Sequence, residues 1–219
     1  MSNPILLNNT TPAIKHLCKK DKLLAKVISM VGNITFRPLT DGDEYSYLIH
    51  AIINQMLSIK AGVKIYGQIE SMCSGGITPE KITSLTTEKI RSTGTSNAKT
   101  EYIQIVTDAI LSGDLNISEL FVMSDDAVIK KLTSYRGIGN WTAKMYLIFV
   151  LNRQDVLPYG DRAFQQSYRW LYKTKDCSLT SIKNKCKKWS PYSSVATRYL
   201  YRALDLGLTR SEFHLFKEG

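Results

Sequence analysis

The sequence predicts an all-α protein of two tightly joined lobes, and three observations lead there. Apolar residues recur at i, i+3 and i+4 spacings along most of the chain. Capping residues open these stretches and glycines close them. No segment shows the alternation of a half-buried strand, and there is no internal repeat or low-complexity linker. A chain of 219 residues has room for a substantial core without covalent staples. Its 29 Lys and Arg against 19 Asp and Glu leave a formal net charge of +10, which favours a polyanionic partner.

Taken in order, Met1 to Asn8 lacks a charged start followed by an apolar stretch, so no secretion signal is expected. Pro12 to Val31 reads as one helix, with Ile14, Leu17, Leu24, Val27 and Ile28 on its apolar side and Gly32 as its stop. Ile34 to Pro38 reads as an extended connector. Glu44 to Met56 places Tyr45, Leu48, Ile49, Ile52 and Met56 on one buried stripe. Ser58 caps the next helix, which carries Ile59, Val63, Tyr66 and Ile69. Thr78-Pro79-Glu80 combines a capping hydroxyl, a proline at the first helical position and an early acid. Thr86 opens a short helix that Gly94 ends. Lys99 to Ser112 forms another, with Tyr102, Ile103, Val106 and Ile110 inside and Gly113 just past its end.

Further on, Trp141 to Leu151 is too apolar for a surface helix. Ala163 to Tyr172 and Ser193 to Leu206 are two more helices. Ile182, Cys186 and Trp189 mark the inner face of another, whose outer face is Lys183, Lys185, Lys187 and Lys188, read as solvated. No run of about 18 apolar residues exists, so no membrane span is expected. The cysteines Cys18, Cys73, Cys177 and Cys186 include no Cys-x-x-Cys pair, which leaves zinc and iron–sulfur sites without spacing support. Reduced, mostly buried thiols of an intracellular protein are expected.

The stretch Leu132-Thr-Ser-Tyr-Arg-Gly-Ile-Gly-Asn-Trp-Thr-Ala-Lys-Met145 organises the chain. Ser124 caps the helix before it, and Asp125 and Asp126 put negative charge in that helix's first turn. Two glycines around one buried apolar residue make a tight hairpin, because glycine accepts positive φ and lets another backbone come close. The helix that follows starts with free N–H groups, and such an end attracts phosphate. Without a Lys-Ser/Thr ending the unit is no nucleotide P-loop and suits a nucleic-acid backbone better.

Together with Asp155-Val-Leu-Pro-Tyr-Gly-Asp161, this stretch resembles the helix-hairpin-helix and catalytic-aspartate segment of the helix-hairpin-helix DNA glycosylases. The Trp141-Thr-Ala143 ending is similar to that of the 3-methyladenine DNA glycosylase II family. Three more segments resemble family motifs: Ile49 to Ala61 with its Gln-x-x-Ser, Gly94-Thr-Ser-Asn-Ala-Lys99 before Tyr102, and Trp189 to Ala196. The resemblance implies a helical barrel domain over 44–154 containing the helix-hairpin-helix at about 124–151. It implies a second lobe from 1–43 and 155–219, and a central cleft with Asp161 at the junction.

The same resemblance implies an enzyme that flips a nucleotide out of duplex DNA and hydrolyses its glycosidic bond. Base departure leaves an oxocarbenium-like sugar, which a fixed carboxylate stabilises while orienting or deprotonating the attacking water. Asp161 matches that carboxylate; the alternative is a plain helix cap. Met56 matches the wedge that fills the gap in the base stack, or is one more core methionine. Trp141, Met145, Arg162 and Tyr201 fall at base-pocket positions, although Met145 and Arg162 depart from the usual aromatics and Tyr201 has an equally plain core reading. Arg136, Gly137, Gly139, Thr142 and Lys144 are the phosphate contacts implied, with Arg136 and Lys144 also readable as surface charges. Carbonyls of Thr133, Tyr135 and Ile138 would hold a K+ or Na+ ion. No iron–sulfur cluster is expected, since only Cys177 and Cys186 lie where lyase relatives carry four cysteines. Those relatives place a nucleophilic lysine where Trp141 stands, so a monofunctional hydrolase without lyase activity is expected. The expected partner is double-stranded DNA with alkylated bases, met by a monomer that touches no membrane. The compartment would be a prokaryotic cytoplasm and nucleoid or a eukaryotic nucleus. Two other readings stay open: a glycosylase for oxidised or mismatched bases, and a non-catalytic DNA-binding paralogue that senses lesions.

Overall fold

A computed structural model describes residues 3–39 and 43–215. The signal-peptide reading at Met1 and Ser2 therefore lies in part outside the described residues. Backbone contacts divide the chain into one unit of residues 39–151 and a second made from residues up to Pro38 together with those from Asn152 onward. No helix among the described residues is long and apolar enough to cross a membrane.

The second unit starts with β1 (Ile5–Leu7), α1 (Pro12–Lys20), α2 (Lys22–Val31) and β2 (Ile34–Phe36). The single helix expected over 12–31 is two helices. Asp21 leaves helical geometry at φ −139° and ψ 100°, and its side chain accepts from the N–H groups of Leu23 and Leu24. A short carboxylate inside an apolar repeat competes with the helix for backbone donors, and here it starts a new one. The expected connector at 34–38 is also corrected. Residues 34–36 pair antiparallel with β1, Ile5 opposite Phe36 and Leu7 opposite Ile34. Three-residue strands are too short to show alternation.

The first unit follows: α3 (Asp43–Asn54), α4 (Ile59–Met72), α5 (Pro79–Thr83), α6 (Thr87–Ser92), α7 (Asn97–Leu111), α8 (Ile117–Leu120), α9 (Asp125–Thr133) and α10 (Asn140–Phe149). Ser58, Thr78, Thr86 and Ser124 each cap a helix with a side-chain oxygen, as the sequence implies. Leu48, Ile49, Ile52 and Ile53 of α3 are buried, as are Ile103 and Val106 of α7, Val128 and Leu132 of α9, and Tyr146, Leu147 and Ile148 of α10. Met56 does not belong to that stripe. The helix ends at Asn54, and Met56 sits in left-handed geometry at φ 56° and is 96% exposed. Val63 on α4 is exposed too, and the side chain of Ile59 lies outside the described ones.

The chain then returns to the second unit with α11 (Arg162–Tyr172), α12 (Leu179–Cys186), a 3-10 turn at Lys187–Trp189 and α13 (Ser193–Asp205). Helices α2, α11 and α13 pack against one another. They bury Leu24, Val27, Phe164, Tyr168, Tyr199 and Leu200, together with Leu17 and Trp189. The lysine face beyond α12 is not wholly solvated. Lys188 forms a 3.1 Å ion pair with the buried Asp21, and Lys185 and Lys188 lie over the Tyr172 ring. All four cysteines are free thiols; Cys73 and Cys186 are buried and Cys18 and Cys177 partly so.

Candidate functional site

In the first unit, α9 and α10 are joined by the turn of residues 134–139. The N–H of Tyr135 donates to the Leu132 carbonyl at 3.2 Å and that of Ile138 to the Tyr135 carbonyl at 3.1 Å, which closes the loop. Gly137 adopts φ 94°, and a Cβ there would collide with the Tyr102 ring. Glycine is thus required twice over, for its dihedral and for the close approach of α7. Ile138 is buried and anchors the turn. Gly139 caps α10 without a side chain, so the first amides of that helix meet no capping oxygen of its own.

The side chains near this end divide sharply. Trp141 is 41% exposed, whereas Thr142, Ala143, Tyr146, Leu147 and Ile148 of the same helix are buried, in keeping with a central helix that leaves its start open. Met145, one turn on, is only 5% exposed. Thr142, read from the sequence as a phosphate contact, is 1% exposed. Lys144 is half-buried. Arg136 is exposed and forms an ion pair with Glu101 on α7, so it is not a lone surface charge. Carbonyls of Thr133, the last residue of α9, and of Tyr135 and Ile138 beyond it are uncharged oxygen donors at the end of the helix where its dipole is negative. That donor type fits a singly charged cation.

Two polar residues without an assigned role in the sequence complete this region. Gln55, one residue past α3, donates its side-chain N–H to the Gly137 carbonyl at 2.7 Å. Lys99 in the first turn of α7 donates to the carbonyls of Ile53 at 2.8 Å and Gln55 at 2.7 Å. Burial pushes the Lys99 ammonium below its usual range. The only signal for them was that Gln55 and Lys99 stand inside the quoted motifs.

In the second unit, Asp161 is the N-cap of α11. Its Oδ1 accepts the Phe164 N–H at 2.7 Å and the Tyr201 hydroxyl at 2.9 Å. Tyr201, expected as a pocket aromatic or a core residue, thus lies against the carboxylate through its polar end. Arg162 points away from the core and is exposed. The segment leading to Asp161 is stitched to α13, the helix that carries Tyr201. Asp155 accepts from the Ser193 N–H at 3.1 Å and from the hydroxyls of Ser190 and Ser193, both at 2.5 Å. The Val156 N–H donates to Ser194 Oγ at 2.9 Å, and the Ser194 N–H to the Gln154 carbonyl at 2.9 Å. Asp161 and Tyr201 are therefore set at both ends by one scaffold.

Residues 49–191 match the family described as HhH-GPD superfamily base excision DNA repair protein. The chain belongs to that superfamily. Within it, the chain groups with the DNA-3-methyladenine glycosylases. It is 30% identical over 208 residues to DNA-3-methyladenine glycosylase 1 of Schizosaccharomyces pombe, covering 92% of this chain and 90% of that one. Among solved structures it is similar to a DNA-3-methyladenine glycosidase from Bacillus halodurans. That match has a TM-score of 0.83 at 33% identity, with 96% of this chain and 97% of the other covered. It is also similar to Mag1, the 3-methyladenine DNA glycosylase of Schizosaccharomyces pombe, in complex with abasic DNA. There the TM-score is 0.78 at 28% identity, over 89% and 97% of the two chains.

Proposed function

We propose that this HhH-GPD protein is a monofunctional DNA glycosylase that removes alkylated purines of the 3-methyladenine type from duplex DNA and so starts base-excision repair. The observation that carries the reading is the Asp161 carboxylate, half-exposed at the head of α11 with one oxygen gripped by two donors. A group held in this way need not reorganise when positive charge develops on a sugar beside it. As the bond from C1′ to the base nitrogen breaks, the electron pair leaves with the base. Asp161 stabilises the cationic sugar and takes a proton from the water that adds to C1′.

The remaining roles follow from residue chemistry. An alkylated purine is cationic, and the exposed face of Trp141 attracts it by stacking and cation–π attraction of roughly 0.5–2 kcal/mol. Met145 lies a turn behind it, and Arg162 and Tyr201 flank Asp161 in sequence and in space respectively. Met56 on its exposed turn is the wedge. Amides of Gly137, Gly139 and Trp141 take a phosphate, with Lys144 and Arg136 adding charge. The carbonyls of Thr133, Tyr135 and Ile138 would hold a K+ or Na+ ion, whose charge would steady the turn and draw a phosphate to it.

Trp141 has no amine, so no Schiff base forms at that position and the strand stays intact. Incubation with methylated duplex should release free alkylpurines and leave alkali-labile sites, with strand breaks only after alkali. Asp161→Asn should stop release while retaining DNA binding. Breaks without alkali, made by pure protein, refute the monofunctional reading; no release by the wild-type protein, with binding kept, points to a lesion-sensing binder.

A further inference from the structure

The turn that carries Met56 is held far more firmly than a surface loop needs to be. A non-glycine residue at φ 56° is in a strained conformation, and an almost fully exposed methionine adds nothing from burial. Something must over-determine the geometry. Lys99 does so from one side. Its ammonium donates to the carbonyls of Ile53 and Gln55, two acceptors that the end of α3 leaves without helical partners. Positive charge suits that end of a helix, but this lysine is half-buried and gives up hydration to reach it. From the other side α4 crowds the same corner, where Gly62 leaves room for the Asn54 amide and any Cβ would collide with it.

The corner is also tied to the hairpin. Gln55, whose carbonyl Lys99 holds, donates its own amide to the carbonyl of Gly137. Residues on α7 next to Lys99 reach the same hairpin: Tyr102 packs where a Cβ on Gly137 would sit, and Glu101 pairs with Arg136. The first two turns of α7 thus touch both the Met56 turn and the 136–139 turn, and Gln55 closes the loop between them.

We infer that Lys99 and Gln55 are positioning residues that lock the Met56 turn to the phosphate-gripping hairpin, so that seating the hairpin on the backbone drives the methionine into the base stack in the same step. The inference rests on the functional reading above, with Met56 as wedge and the hairpin as phosphate grip. If the brace were absent, Met56 would relax from its left-handed conformation and the two contacts would be made independently. The penalty then falls on opening a base pair and leaves bond cleavage alone.

The experiment compares release of one alkylpurine from two DNAs, a fully paired duplex and a duplex in which the lesion lies in a mispaired bubble. Wild-type protein releasing from both establishes the functional reading by itself. Lys99→Met and, separately, Gln55→Leu should slow single-turnover release from the paired duplex by about tenfold, the worth of one hydrogen bond to a charged or strained group. Release from the bubble should stay within about twofold of wild type, since its base is already unstacked. Lys99→Cys treated with 2-bromoethylamine, which rebuilds an ammonium at the same reach, should recover the paired-duplex rate, with wild type treated alongside as control. Equal losses on both substrates by folded variants, or no loss on either, overturn the inference; if Lys99→Met does not fold, Gln55→Leu decides alone.

Discussion

Asp21 and Asp161 lie in the same unit, and each caps a helix through its Oδ1, α2 in one case and α11 in the other. Asp21 is 2% exposed and uses both carboxylate oxygens. Its Oδ1 takes the Leu23 and Leu24 N–H groups, while Oδ2 takes the Tyr172 hydroxyl at 2.5 Å, the Trp189 indole N–H at 2.9 Å and the Lys188 ammonium at 3.1 Å. Asp161 takes its cap bond and the Tyr201 hydroxyl on Oδ1 and keeps part of its surface open. One carboxylate is consumed by the fold; the other is oriented by it. A capping aspartate in a sequence therefore says little about role until the second set of donors is known.

Exchanging each for asparagine separates the two most strongly. Asparagine caps as well as aspartate, and at 161 its one oxygen satisfies both donors that Oδ1 now serves. Asp161→Asn should therefore melt within a degree or two of wild type, yet lose about 10³-fold or more in base release, the scale for removing a preorganised charge stabiliser. At 21 the amide serves one oxygen's partners only and turns its N–H groups toward the other's donors. Asp21→Asn should cost about 3–5 kcal/mol of stability, the range for breaking a buried charged pair, with the base-release rate of the remaining folded protein unchanged. Thermal melts and single-turnover release read both variants, and equal destabilisation by the two would erase the distinction.

Acid gives a second, smaller separation. Burial works against ionisation of Asp21, but the donors Tyr172, Trp189, Lys188 and Leu24 outweigh it and leave its carboxyl below the usual 3.8. A folded value below the unfolded one gives stability that is complete above about pH 4 and is lost as pH falls through the folded value. Denaturant midpoints should therefore decline below about pH 4 in wild type, and less steeply in Asp21→Asn. An identical slope in both proteins would show that other carboxylates set the acid limit.

The two aspartates also mark where sequence stops being informative. Helices opened by Ser58, Thr78, Thr86 and Ser124 were legible because a hydroxyl oxygen three residues before the amide that donates to it is a local event. The break at Asp21 was not, since its local cap sits inside an unbroken apolar repeat, and the donors Tyr172 and Trp189 that hold its other oxygen stand 151 and 168 residues away. Distance also hid Lys188, read as one of a solvated row, and the β1–β2 pairing. Asp161 was legible through its spacing from the glycine turn, whereas the hydroxyl of Tyr201 came from 40 residues further on. Met56 failed in another way. Its i+4 spacing from Ile52 suggested burial, but the helix had already ended, and periodicity does not report where a helix stops.

Tyr201 tests whether orientation or mere presence of the Asp161 carboxylate matters. Removing the hydroxyl in Tyr201→Phe keeps the ring and the Phe164 cap bond, so α11 still starts at the same residue. One donor less on Oδ1 loosens the orientation of the carboxylate about its Cβ–Cγ bond. The change should slow single-turnover release by about tenfold, the value of one hydrogen bond to a charged group, while half-saturation by damaged duplex stays put. If the ring itself contributes through stacking on the base, Tyr201→Leu should weaken binding as well as rate, and Tyr201→Phe should not. A Tyr201→Phe protein with wild-type release would leave Asp161 oriented by its helix alone and reduce the tyrosine to packing.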